Sequence, residues 1–404
     1  MNKKLSPLAA AILLALPVTS YAKAMWSEMI VQLHGAGKAF LVDSKTDTIV
    51  ATLDTCKGGG LGSMTPEAKK VYVSCAGEEQ KEVVVLDLVG KKVAKRLETG
   101  NRPKHGLVSP NGKLVGVDHW ALAEGKLRVV FIDTATDEIV KSLDVEVKGT
   151  PAGVTSMHNV WSLDSRYFYT LDRVDNRVIV VDTQDYSIKT LTSPSIPHYP
   201  VINPAGNELW LIHEGSDSVK PGIVVYDLSK PEMPVITQMD MPLIGEEVVE
   251  AHHGNFTQDG KLFTALNRGP GKDSRGREVA FFDAASKKLV HRLTTASNGV
   301  GHTYNSPDGK YAVVTNYGNN VITVIDIANL KTVKDLQIGS GRMGHIAFTA
   351  DSKWGYVSNA GDGNLWKIDM KKLEVAGEIV TGNGQAGGAQ VLNVWTNVFE
   401  ELPR

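Results

Sequence analysis

Short β-rich runs recur along the whole chain, and each closes on an aspartate. Val83-Val84-Val85-Leu86-Asp87, Val178-Ile179-Val180-Val181-Asp182 and Val321-Ile322-Thr323-Val324-Ile325-Asp326 are three of them. Aligning all such runs places aspartates at Asp43, Asp87, Asp133, Asp182, Asp227, Asp283, Asp326 and Asp369, at intervals of 43 to 56 residues. We read these aspartates as structural. Most are followed by a further short run, such as Ile188-Lys189-Thr190-Leu191 or Val333-Lys334-Asp335-Leu336, that reads as an outer strand. Turn signals precede most strand pairs: Ser109-Pro110-Asn111-Gly112-Lys113, Thr257-Gln258-Asp259-Gly260-Lys261 and Ser306-Pro307-Asp308-Gly309-Lys310. Asn-Gly and Asp-Gly between β-rich runs are hairpin turns, because glycine supplies the positive φ that such turns need. One unit is therefore four antiparallel strands.

Four strands repeated every forty to fifty residues is the pattern of propeller blades. The predicted fold is all-β: one β-propeller of about eight blades, or seven and a divergent cap, rather than two stacked β domains. The ends fit a ring closure. Lys38–Asp43 lacks a first strand before it, and Gly387–Val394 resembles that missing strand with nothing after it. Pairing the two would complete a blade and remove the exposed edges of an open array. The expected organisation is a signal peptide over 1–24, the propeller over 25–397 and a tail over 398–404.

The leader reading rests on Lys3 and Lys4, the uncharged apolar stretch Leu8–Pro17, and the small-x-small pattern Ala22-Lys23-Ala24. It implies export, and its style a periplasm. No segment is apolar for long enough to span a bilayer. Removing 1–24 would take Lys3, Lys4 and Lys23 with it and move the formal net charge from −2 to −5, which leaves no basic footprint for nucleic acid. Two cysteines remain, Cys56 and Cys75, and there is no Cys-x-x-Cys-His, so covalent c-type haem is excluded. An oxidising compartment favours a Cys56–Cys75 disulfide; the competing reading makes Cys75 a free thiolate ligand.

The histidines share a register. His105, His158, His253, His302 and His345 each stand four residues before the Ser or Thr that opens a turn signal, and His198 stands there with one residue inserted. Leu61 and Gly388 occupy the place in the other two blades. Innermost strands line a propeller's channel, so these six imidazoles, with His252 beside His253, are expected to converge on one mouth as metal ligands. Counting on 14 residues reaches the end of each second strand, at Cys75, His119, Asp172, Asn267, Asn316 and Asn359, with His213 one later and His34 an approximate counterpart. His119, Asp172, His213 and Lys104 are the candidates for positioning or protonating a substrate.

Imidazole suits copper, zinc, iron and nickel, and copper(II) binds most tightly among first-row divalent ions. Asp172 is the lone carboxylate in either column, which argues against calcium or magnesium. His-Glu-x-x-His is absent, and Glu250 precedes His253 by three residues in a strand-entry loop rather than a helix.

The Asp-ended strands and Ser-Pro-Asp-Gly turns across Lys38–Val394 resemble the bacterial YVTN-type propellers. That family includes the eight-bladed haem-binding propeller of the dihaem nitrite reductase and its maturation relatives. The channel histidines look like those of the copper propellers of nitrous oxide reductase and thiocyanate dehydrogenase, which hold copper on histidines from successive blades. The first of these has a His-His pair comparable to His252-His253. The present chain is shorter, and it has no cysteine-rich copper domain for electron entry. The resemblance implies a copper protein, an oxidoreductase acting on a small molecule with a periplasmic electron-transfer partner. A second expectation is a carrier or maturation protein for a d-type haem, with a histidine as axial ligand and Arg102 and Arg268 against the propionates. A third is a scaffold without ligand.

Overall fold

The computed structural model describes residues 29–57, 60–242, 251–268, 276–296 and 299–393. The proposed leader, the tail 398–404, Glu250 and Val394 lie outside these residues. All named elements among the described residues are strands, and they form eight four-stranded antiparallel sheets arranged as the blades of a propeller. Among the described residues, no helix is long and apolar enough to cross a membrane.

Seven of the eight blades run outward from the channel in sequence order. In the first complete blade, β4 (Gly60–Met64) is innermost, followed by β5 (Lys70–Cys75), β6 (Glu82–Asp87) and β7 (Lys92–Glu98). The second and third strands are buried on both faces because neighbouring blades cover them, which is why they read as unbroken apolar runs. Outer strands such as β7 alternate between exposed and covered positions. The aspartates that end the third strands are turn-formers. Asp87 Oδ1 accepts the amides of Val89 and Gly90, and Asp326 Oδ1 accepts that of Asn329 at 3.0 Å. Gly112 and Gly309 adopt φ of 72° and 71° at the hairpin turns, where the left-handed conformation favours glycine.

The ring closes as expected from the ends. β1 (Met29–His34) pairs with β2 (Ala36–Asp43), and on its other side with β32 (Gly388–Leu392), in the sheet order β3-β2-β1-β32, where β3 is Thr48–Lys57. Gln390 Oε1 on the closing strand accepts the Gly62 amide of the next blade at 2.7 Å. Cys56 and Cys75 form a disulfide, so neither is a free thiolate. Cys56 lies on β3 rather than in a connecting loop, so the disulfide links the closing blade to the blade after it.

Candidate metal centre at the channel mouth

Six of the seven histidines sit in β-bulges. In the blade whose inner strands are β8 (Pro103–Val108) and β9 (Leu114–His119), Pro103 pairs with His119 and Gly106 with Val117. Lys104 and His105 are therefore two residues opposite one, Asp118. The same irregularity recurs where β20 (Ala251–Phe256), β24 (Val300–Asn305) and β28 (Met343–Phe348) begin, at His252-His253, Gly301-His302 and Gly344-His345. His198 is the extra residue in β16 (Pro197–Ile202), and His158 immediately precedes β12 (Asn159–Trp161). A bulge re-aims side chains that a regular strand would send to alternate faces. Each bulged amide needs an acceptor: His105 N–H donates to Asp118 Oδ1 at 3.0 Å, and His345 N–H to Ser358 Oγ at 3.1 Å.

All seven predicted ligands line one cavity of about 510 Å³, together with Lys104, Trp120, Arg173, Glu214, Arg268 and Tyr317. Ring centroids of neighbouring histidines stand close around the mouth: His105–His158 at 4.6 Å, His158–His253 at 4.7 Å, His253–His302 and His302–His345 at 4.4 Å. His158, His198 and His253 each offer a nitrogen within 4.8 Å of the others. The Nε2 atoms of His158 and His253 are 3.1 Å apart. Tyr199 packs edge-on against both rings and walls the group off.

The electrostatics favour neutral imidazole. All seven rings are buried, and burial drives each of their pKa values below the ordinary histidine range, with neighbouring histidines adding to the effect at His158, His252, His253 and His302. His198 is held in a ligand-ready orientation. Its Nδ1–H donates to Glu214 Oε1 at 2.6 Å, and its buried Nε2 has no partner among the described residues. Burial pushes the Glu214 carboxyl up, but the hydrogen bond from His198 and the Arg173 guanidinium bring it down to about 2. Arg173 grips Glu214 through both amino groups, at 2.8 and 3.2 Å. A carboxylate behind an imidazole fixes its tautomer and raises its basicity toward a metal. Tyr304 OH contacts Nδ1 of His345 in the same outer position.

The second predicted column lies behind the wall. His119 uses Nδ1 on Arg128 O at 2.9 Å and Nε2 on Thr99 Oγ1 at 3.2 Å. Asp172 accepts the Val174 and Asp175 amides at 2.9 and 3.0 Å and Arg177 Nε at 2.6 Å. His213 Nδ1 meets Ser195 Oγ at 2.9 Å. None of the three lines the cavity. Neighbours along a strand face opposite ways, so the cavity receives the residue after each: Trp120, Arg173, Glu214, Arg268 and Tyr317. Counting 15 rather than 14 residues from the histidines would have found four of these, with Glu214 one further in the blade that carries the insertion. Lys104 and Arg268 do line the cavity. Arg102 does not: its Nε donates to Ala76 O at 3.3 Å and its guanidinium lies 5.3 Å from the Trp120 ring. His34 also turns elsewhere, accepting the Ala36 amide on Nδ1 at 3.0 Å.

No protein-family model matches the chain, and no curated protein sequence matches it. Among solved structures it is similar to the dihydro-haem d1 dehydrogenase NirN in complex with DHE, at 18% identity and TM-score 0.73 over 92% of this chain and 76% of that one. It is also similar to Kuenenia stuttgartiensis hydrazine synthase, at 18% identity and TM-score 0.56 over 73% and 90% of the two chains. A protein of unknown function from Desulfotomaculum acetoxidans matches at 11% identity and TM-score 0.59, over 91% and 99%. At these identities the likeness is one of fold.

Proposed function

We propose that this protein is an exported metal-binding propeller whose centre, best suited to copper, is held by His158, His198 and His253. His105, His302 and His345 extend it toward a multinuclear site. The observation that carries the reading is the convergence of the three nitrogens within 4.8 Å, all on buried rings kept neutral. Neutral imidazole is the form that ligates, so the site needs no proton released to accept an ion at neutral pH. Glu214 behind His198 supplies negative charge against that of the metal. Bound copper would supply a one-electron acceptor and a Lewis acid; the residues around it bind and orient a small molecule within the 510 Å³ of the cavity. A redox role requires an electron-transfer partner in the periplasm.

A d-type haem is the second reading, favoured by the likeness to a propeller solved with DHE. Seven converging imidazoles exceed the one or two axial ligands a haem takes, and Arg102 is spent outside the cavity, so the metal reading is preferred.

The test is metal analysis of the mature chain after loading with copper and removal of excess. We expect at least one ion per chain, lost in His198→Ala/His253→Ala and retained in His291→Ala, which alters an outer strand. A wild type that binds no copper above background overturns the metal reading, and a Soret band in its place would favour the haem.

A further inference from the structure

His198 is held at two points by one side chain of the blade before it. Arg173 follows β13 (Tyr167–Asp172), in the blade of β12. Pro197 and His198 lie on β16 of the next blade, and Glu214 follows β17 (Glu208–His213) of that blade. Arg173 Nη1 donates at 2.9 Å to Pro197 O, the carbonyl of the peptide bond that leads into His198. The same Nη1 donates to Glu214 Oε1 at 2.8 Å, and Nη2 to Oε2 at 3.2 Å. Glu214 Oε1 in turn accepts His198 Nδ1–H at 2.6 Å. A carboxylate engaged on both oxygens by a guanidinium accepts and does not donate. The proton of this bond therefore sits on Nδ1, and the lone pair on the buried Nε2, which has no partner among the described residues. Arg173 and Glu214 are 13% and 20% exposed and His198 4%, so solvent competes little for these bonds. The bulge amides of His105 and His345 find acceptors in their own blades, at Asp118 and Ser358. His198 differs in being tied across a blade boundary.

We infer that Arg173 is a positioning residue of the proposed centre, setting both the peptide that carries His198 and the carboxylate behind its ring, so that Nε2 is left for a metal. The inference rests on the metal reading for its last clause and on the hydrogen bonds for the rest. Arginine suits the position in a way that lysine does not. Its planar fork reaches a carbonyl and both carboxylate oxygens at once, whereas an ammonium is a point charge with no fixed plane. The contact also links two of the three proposed ligands. The Arg173 amide donates to Thr155 O at 3.0 Å, three residues before His158, while its side chain holds His198. The relative placement of the two imidazoles is thereby set by the protein before any ion arrives, and less ordering is left for binding to impose.

The test is a double-variant cycle read by the copper affinity of the full mature chain, with folding checked by circular dichroism. Arg173→Met and Glu214→Gln should each weaken copper binding about tenfold or more, the loss expected when the group behind a ligating imidazole is disturbed. Because Arg173 acts through Glu214, the losses should not multiply: Arg173→Met/Glu214→Gln should bind within about threefold of the weaker single variant. Arg173→Lys keeps the charge without the fork and should stay weaker than wild type by about threefold or more. Where Arg173→Met does not fold, Arg173→Lys takes its place in the cycle. Nitrogen-15 correlation spectra of the histidine rings, with His198 assigned by its absence from His198→Gln, give a readout without metal. We expect the Nδ1–H tautomer of His198 in wild type and a mixture of tautomers in Arg173→Met. An arginine that only ties two blades together would lower the melting temperature of Arg173→Met but leave copper affinity and the His198 tautomer as in wild type. That result overturns the inference, as do losses that multiply in full or an Arg173→Lys that binds as wild type. If wild type takes up no copper, it is the metal reading that fails, and the ring spectra of the metal-free chain decide the positioning role by the same comparison.

Discussion

His119 and His213 are buried, neutral and outside the cavity, so they report on folding rather than on ligand binding. Burial, partly offset at His119 by the bond to Arg128 O, lowers each pKa to about 4. An unfolded histidine takes up its proton near pH 6.5, so between that value and about 4 the unfolded chain binds more protons than the folded one. Stability therefore rises with pH across this window and falls on acidification, by on the order of 3 kcal/mol for one such group. His119→Asn keeps a donor for Arg128 O and cannot titrate. Its unfolding free energy should depend on pH less steeply than that of wild type between pH 6.5 and 4, by about one proton, as read from urea unfolding at several pH values. An unchanged slope would mean that His119 is already charged in the folded state. The same two residues show what one sequence can mislead about. Their spacing from the turns was plain, but strand parity decides which of two adjacent residues faces inward, and the count stopped one residue short of Trp120, Arg173 and Tyr317.

At the scale of the element, the bulge is the unit that makes the site. It brings Lys104 with His105, and His252 with His253, to one side of a strand that would otherwise separate them. The histidine register was legible because each bulge lies a fixed four residues from its turn. The bulge itself was not, since it is defined by the pairing partner and not by the strand that carries it. Asp118 was missed for this reason, although it lies 13 residues after His105 at the place where Ser358 follows His345. Its oxygens accept the His105 amide at 3.0 Å and Ser156 Oγ at 3.1 Å. Burial pushes its carboxyl up to about 7 against those bonds. Asp118→Ala should leave the His105 amide buried without its acceptor and cost about 1–3 kcal/mol in denaturant unfolding. Asp118→Asn, which preserves an acceptor for the amide, should stay within about 1 kcal/mol of wild type. Equal losses in the two variants would show that charge, not hydrogen bonding, is what the bulge needs.

The whole molecule was the most readable scale, because a period of four strands per blade repeats often enough to override irregularities in any one blade. Its closure depends on few residues. β32 contributes one strand to the blade of β1, β2 and β3, in the register Val31–Leu392, Gln32–Val391 and Leu33–Gln390. Side chains extend the clasp in both directions: Gln390 to Gly62 of the following blade, and Asn393 Nδ2 to Phe348 O of the preceding one. Deleting 388–404 would expose the edge of β1, leave Gln32 facing an emptied position and break both links. The disulfide from Cys56 to Cys75 would survive the deletion, but it joins the closing blade only to the blade after it, so the gap would open toward β28. We expect the truncated chain to lose cooperative thermal unfolding or to melt well below wild type, and to self-associate through its open edge. Deleting only 398–404, which carries no strand pattern, should leave the melting temperature unchanged. A 388–404 deletion that melts as wild type and stays monomeric on gel filtration would show that the ring is held by packing between blades and not by the shared one.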